Sequence, residues 1–482
     1  MKIFFILFLF VFACEDTTKI TKDAGTDADS GSDITDIVDA VDITDTFDCG
    51  VSDASDASDA SDGSYELEPV RYRSGRALSP VTPFTVQTMK DIIASNSQTT
   101  EGVFMKAGAS GTVSTNLLHC FSGGSWTLDL DTHTDLMDSI LYYRGISAVD
   151  TTPFDRVTYA AMVGRTASWV MSGDPSPFDQ EVAALNPRYA IINYGTNDMG
   201  MGTTYLTALF PFVSNMTTLI EHAISLGIVP VITGLNPRSD SVSAARWAKV
   251  YNDVTRALAE KYQVPYIDMI FLSDPLADHG LLSDGIHGNV YRETTAQPCV
   301  FTAGGLEYNY NNRNLQTMIA LDYIRRYTIL NEESGDLTND WFQQTGVTPA
   351  DPIIVDALPF SHHGDTSQLT GSYIDSYPEC DSGQDESGPE YFYELVLTQD
   401  TPLRIFVFDD AAGDIDIHIT APDIDSPMCR ARNDRSITGT LSAGRWWIIA
   451  DTFVSSSGPK PGPFTIVISP CESSDPECTD PL

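Results

Sequence analysis

Four short apolar runs rich in β-branched residues, spaced by helical stretches, constrain this chain more than anything else in it: residues 103–107, 190–194, 228–232 and 265–267. They are continuous rather than alternating, as strands covered on both faces are. Between them, residues 206–226 and 243–262 place apolar side chains three and four apart, the spacing of one helix face. Strands separated by helices predict an α/β fold with a parallel sheet flanked by helices, whose ligands bind beyond the carboxyl ends of the strands.

After about residue 331 the grammar changes. Short strand-like runs at 394–397, 403–408, 415–419, 446–450 and 464–468 are separated by Gly, Pro, Asp and Ser. Asp414-Ile415-Asp416-Ile417-His418-Ile419 alternates strictly, as a half-buried strand does. This predicts an all-β sandwich with its own core. Trp446 and Trp447 then face opposite sides of one strand, one in the core and the other at the surface. A chain of 482 residues exceeds a single core. We divide it into a signal segment 1–14, an acidic stalk 15–64, an α/β domain 65–330, a linker 331–380 that holds His362 and His363, and a β-sandwich 381–482.

The net charge is −40, and residues 15–64 hold fifteen acids against Lys19 and Lys22. Asp33, Asp36, Asp39, Asp42, Asp45 and Asp48 recur every third residue, and a Ser-Asp-Ala repeat follows. Such a stretch repels itself and lacks the apolar surface to order itself, so it reads as a disordered stalk. No basic patch competes for phosphates, which argues against nucleic acid as a partner. At the N-terminus, Met1-Lys2 precedes ten apolar residues and Ala13-Cys14, too few to span a bilayer. Val11-Phe12-Ala13-Cys14 resembles a bacterial lipobox, which implies lipidation at Cys14, a lipid anchor in the membrane, and an exported protein of the bacterial outer membrane or cell surface. Export makes the cysteines disulfide candidates. Cys120 and Cys299 are expected to pair within the α/β domain; Cys380, Cys429, Cys471 and Cys478 leave three connectivities open, and Cys49 stands alone in the stalk.

Three motifs carry chemistry: Lys106-Ala107-Gly108-Ala109-Ser110-Gly111, Tyr194-Gly195-Thr196-Asn197-Asp198 and Ser283-Asp284-Gly285-Ile286-His287. The first two follow strand-like runs directly. Ser110 after a small-residue turn suits a nucleophile, although Ser is also a favoured helix N-cap. Asp284 three residues before His287, with a glycine between, lets one loop set a carboxylate against the imidazole and orient it as a general base. Asn197 offers an amide donor to a developing oxyanion, although Asn-Asp is equally good turn chemistry. Together these are the parts of acyl transfer.

The order Ser…Gly…Asn…Asp-x-x-His over roughly residues 78–330 resembles the SGNH (GDSL-type) hydrolase family. The resemblance implies a flavodoxin-like α/β hydrolase with Ser110, Asp284 and His287 as a catalytic triad. It implies an oxyanion hole from the Ser110 and Gly164 N–H groups and the Asn197 amide. Met162-Val163-Gly164-Arg165-Thr166 matches the family's glycine position best, with Gly173 and Gly124 as alternatives. The family usually carries Gly-Asp-Ser where this chain has Gly108-Ala109-Ser110. No metal or cofactor is implied; the substrate is an extracellular ester, a small molecule or an acylated carbohydrate or lipid. Two other readings remain: a catalytically decayed surface-binding lipoprotein, for which Ala109 is the hint, and an acyltransferase using the same site. The Asp414–Ile419 strand and Ser442-Ala443-Gly444-Arg445-Trp446-Trp447-Ile448 resemble the bacterial pre-peptidase C-terminal domain. His119, His133 and His279 lack metal-ligand spacing, and a solvated strand face fits Asp409, Asp410, Asp414 and Asp416 better than a calcium site.

Overall fold

The computed structural model describes residues 67–482 except 378, 381–383, 411–412, 422 and 425–427; the segment 1–14 with Cys14, the stretch 15–64 and Cys49 lie outside the described residues. The four apolar runs form β1 (Thr100–Gly108), β2 (Pro187–Asn193), β3 (Val229–Thr233) and β4 (Tyr266–Ile267), bonded in that order and all parallel. Every residue of β3 is buried, and so is β1 from residue 102 on, which accounts for runs without alternation. The sheet is flanked by helices: α1 (Pro83–Ser95), α2 (Pro177–Leu185), α3 (Tyr205–Ser225), α4 (Val242–Lys261) and α5 (Asn309–Ile324). Thr82, Ser176, Thr204 and Ser241 cap the first four, each side-chain oxygen accepting a backbone N–H three residues on. Cys120 and Cys299 are bridged, with their Cα atoms 5.9 Å apart.

The C-terminal region is a two-sheet β-sandwich. Its strands are β5 (Ile353–Val355), β6 (Phe360–Asp365), β7 (Glu390–Leu397), β8 (Thr401–Asp409), β9 (Ile415–Thr420), β10 (Cys429–Asn433), β11 (Ser436–Leu441), β12 (Gly444–Thr452) and β13 (Pro463–Pro470). One sheet runs β10-β9-β12-β7-β5 and the other β11-β8-β13-β6, antiparallel except for the β5–β7 pair. Ile405, Ile417, Ile448 and Ile466 meet between the sheets. Cys380 pairs with Cys429 and Cys471 with Cys478.

Two expectations need correction. The segment 331–380 is not only a linker: Ile353, Val355 and Phe360 are buried between the sheets, so β5 and β6 belong to the sandwich and His362 and His363 lie on β6. A three-residue strand among Pro and Asp is too short to show alternation. Trp446 and Trp447 do face opposite sides of β12, but both are buried. Trp446 joins the inter-sheet core. Trp447 packs with Ile374, Tyr377 and Phe392, because Ile374 and Tyr377 lie across the outer face of the five-stranded sheet.

The outer face of the four-stranded sheet packs on the hydrolase half, and Phe406 and Val467 join the α/β core. Trp247 of α4 lies against Phe406 with the Arg404 guanidinium 4.7 Å from its ring centre. Ser469 donates to Asp253 at 2.7 Å and Ser361 to Glu260 at 3.1 Å. Residues 65–482 thus form one compact unit.

Candidate active site

Strand β1 ends at Gly108, where an added Cβ would sit 2.1 Å from Thr112 Oγ1 and 2.8 Å from the Asn193 carbonyl, so a larger residue cannot pass between β1 and β2. Ala109 then occupies the N-cap of a one-turn helix, Ser110–Val113, and offers no side-chain cap bond. Ser110 is therefore the first helical residue rather than the cap, and its Oγ lies 2.9 Å from His287 Nε2. Asp284 and His287 share one loop. Asp284 Oδ1 accepts the N–H groups of Ile286 (2.9 Å) and His287 (3.0 Å), while Oδ2 lies 2.7 Å from His287 Nδ1. First among these, the His287 backbone N–H holds the Asp284 carboxyl down at about 2. Gly285 turns the loop at φ +68°, where a Cβ would meet the Asp240 N at 2.6 Å. Asn289 anchors the loop by accepting the Asn309 N–H at the start of α5.

The segment 160–165 lies beside the end of β1. Gly108 donates to the Ala160 carbonyl and accepts from Met162 N, both at 3.1 Å. Gly164 follows with φ +74°, and Asn197 Nδ2 donates to the Arg165 carbonyl at 3.0 Å. Hydrogen bonds therefore gather the Ser110, Gly164 and Asn197 turns at the carboxyl ends of β1 and β2, as the parallel-sheet rule requires. Gly173 and Gly124 sit on other loops. His119, whose pKa burial lowers to about 4, and His279, bonded to the Asp274 carbonyl, lie away from this chain of contacts.

Asp198, which closes the Tyr194–Asp198 motif, organises the turn. It is buried, its Oδ1 accepts Ala167 N at 2.9 Å and its Oδ2 accepts Gly195 N at 3.0 Å, tying the Asn197 turn to the Gly164 segment. Burial raises its carboxyl to about 6 against the pull of those two donors. Arg313, outside all three motifs, adds a further group: its fully buried guanidinium lies 3.5 Å from the Gly111 carbonyl, a positive charge under the nucleophile turn. The recess at Ser110 holds about 30 Å³, walled by Ala109, Asn193, Thr196, Asn236 and Ile286.

Residues 143–290 match the family model for the GDSL-like Lipase/Acylhydrolase family, a span that contains Gly164, Asn197, Asp284 and His287. This is a GDSL-like, SGNH-type hydrolase domain. Enzymes with such domains act on ester bonds, and so does this one. No curated protein matches the chain. Among solved structures, the chain is similar to a GDSL-like lipase from Bacteroides thetaiotaomicron (16% identity over 49% of this chain and 97% of that one, TM-score 0.28). It is also similar to a two-domain esterase active on acetylated mannans (10% identity, 84% and 99%, TM-score 0.27). The third is the pre-peptidase C-terminal domain of a Bacillus anthracis collagenase (9% identity, 24% and 92%, TM-score 0.16).

Proposed function

We propose that the GDSL-like domain is a serine esterase that removes short acyl groups through an acyl-enzyme. The observation that carries this is the unbroken chain Ser110 Oγ–His287–Asp284, at 2.9 Å and 2.7 Å. Ser110 Oγ attacks the ester carbonyl carbon as His287 Nε2 takes its proton. Asp284 holds the Nδ1 tautomer and offsets the imidazolium charge. The Ser110 and Gly164 N–H groups and the Asn197 amide receive the oxyanion. Collapse expels the alcohol, which takes the proton from His287, and water then repeats the sequence on the acyl-enzyme. A recess of about 30 Å³ has room for two or three water-sized groups, which fits an acetyl-sized acyl chain and leaves a long chain outside.

The same proposal makes the substrate an extracellular ester, an acylated carbohydrate or a lipid, and anchors the protein at the bacterial surface through Cys14. The apolar run before Ala13-Cys14 supports the anchor. Hydrolysis of p-nitrophenyl acetate, butyrate and octanoate by the wild type and Ser110→Ala tests the reading. Rates should fall with chain length, and Ser110→Ala should lose turnover. A preference for octanoate would refute the short-acyl part, and an active, folded Ser110→Ala would refute the whole.

A further inference from the structure

The outer face of the five-stranded sheet buries an arrangement that the esterase does not use. Strand register sets Asp416, Asp451 and Glu390 directly across from one another on β9, β12 and β7. Like charges so placed repel. All three are buried, and Glu386 enters from the covering segment, also buried. Arg432 bonds Asp416 and, at 3.2 Å, Glu386, and Glu390 accepts the backbone N–H groups of Tyr373 and Ile374.

His418 belongs to the same face, two residues beyond Asp416 on β9. It is fully buried, yet neither ring nitrogen has a hydrogen-bond partner, and Asp451 Oδ1 has none either. A buried polar atom without a partner costs about 1–3 kcal/mol, so the two His418 nitrogens and Asp451 Oδ1, set among buried carboxylates, point to a cation as their ligand. Tyr377 fixes both of them. Its ring stacks on His418 with centres 3.8 Å apart, and its hydroxyl donates to Asp451 Oδ2 at 3.1 Å. One donor atom each from His418, Glu386 and Asp451 lies within 4.8 Å of the others. Donors about 2.1 Å from a tetrahedral ion stand about 3.4 Å apart, so modest rotations close the set.

We propose that Glu386, His418 and Asp451 bind one divalent transition-metal ion, zinc by the chemistry of an imidazole with two carboxylates. The ion joins two sheet strands to the covering stretch that carries Ile374, Tyr377 and Glu386, where Cys380 is already tethered to Cys429 of β10. Its role is to hold that segment over Trp447 and Ile449, away from the ester site. The test titrates zinc chloride, and in parallel calcium chloride, into the chelator-stripped full chain by calorimetry. Hydrogen exchange of residues 372–386 is followed with and without zinc. Expected are one zinc per chain, a raised unfolding temperature, slower exchange in that segment, and loss of binding in His418→Gln and Asp451→Asn but not in Asp434→Asn. Absence of saturable zinc binding by the wild type, binding undiminished in both variants, or binding of calcium but not zinc overturns the proposal. If the variants fail to fold, the wild-type titration and exchange still decide it.

Discussion

Replacing Asn197 by Ala separates binding from catalysis at this site. In the structure its Nδ2 spends one N–H on the Arg165 carbonyl at 3.0 Å, which leaves the second N–H for an oxyanion. Asn197 is half-buried on a surface turn, so truncation leaves no sizeable cavity. Loss of the Arg165 bond costs about 0.5–1.5 kcal/mol of stability. Loss of an oxyanion donor costs far more in the transition state, about 2.7–4 kcal/mol, or a factor of roughly 10²–10³ in kcat. Because the charge develops only there, KM for p-nitrophenyl acetate should barely move. The assay is steady-state kinetics on Asn197→Ala beside thermal unfolding of the same preparation. Asn197→Asp, nearly isosteric but lacking the donor, should be at least as slow. A kcat within a few-fold of wild type, or a KM rise without a kcat loss, would refute the oxyanion role.

Asp284→Asn should cut kcat by about 10⁴ by presenting the wrong tautomer partner to His287, measured on the same ester. Since the folded pKa of Asp284 is lowered to about 2, its contribution to stability is present above about pH 4 and is lost as pH falls toward 2. The unfolding temperatures of wild type and Asp284→Asn should converge over that window; with 47% of the side chain exposed, the gap is small. Trp247→Ala should cost about 3–5 kcal/mol in denaturant unfolding and lower a single transition shared by both halves, whereas two transitions with one unmoved would show independent cores. Removing the Cys120–Cys299 bridge with paired Ala substitutions frees a link across 179 residues and should cost up to about 5 kcal/mol, read from the same denaturation curves.

Much of this molecule is legible in its sequence because the relevant signals are local. The β1 to β4 runs are apolar without interruption, and Asp284 and His287 meet within one loop, so spacing alone brings them together. Signals that depend on distant partners are not legible. Asp198 reads as a turn residue until the Ala167 and Gly195 N–H groups close on it. Trp447 reads as a surface aromatic because Ile374 and Tyr377, which cover it, are isolated apolar residues among Ser, Asp and Pro. Asp416 reads as a solvated strand position for the same reason, and its Arg432 partner comes from the neighbouring strand. The change of grammar near residue 331 correctly marks a second architecture, but nothing in it reveals that Phe406 and Val467 would pack into the first core.

The central claim, that Ser110 is the nucleophile of an ester hydrolase, is tested most directly by covalent trapping. The purified chain is treated with a p-nitrophenyl phosphonate ester, and intact mass and peptide mapping locate the adduct. One adduct per chain on Ser110, absent in Ser110→Ala, slowed in His287→Ala and appearing in step with loss of esterase activity, is the expected result. An adduct on another residue, or inactivation that proceeds with Ser110 unmodified, would contradict the account.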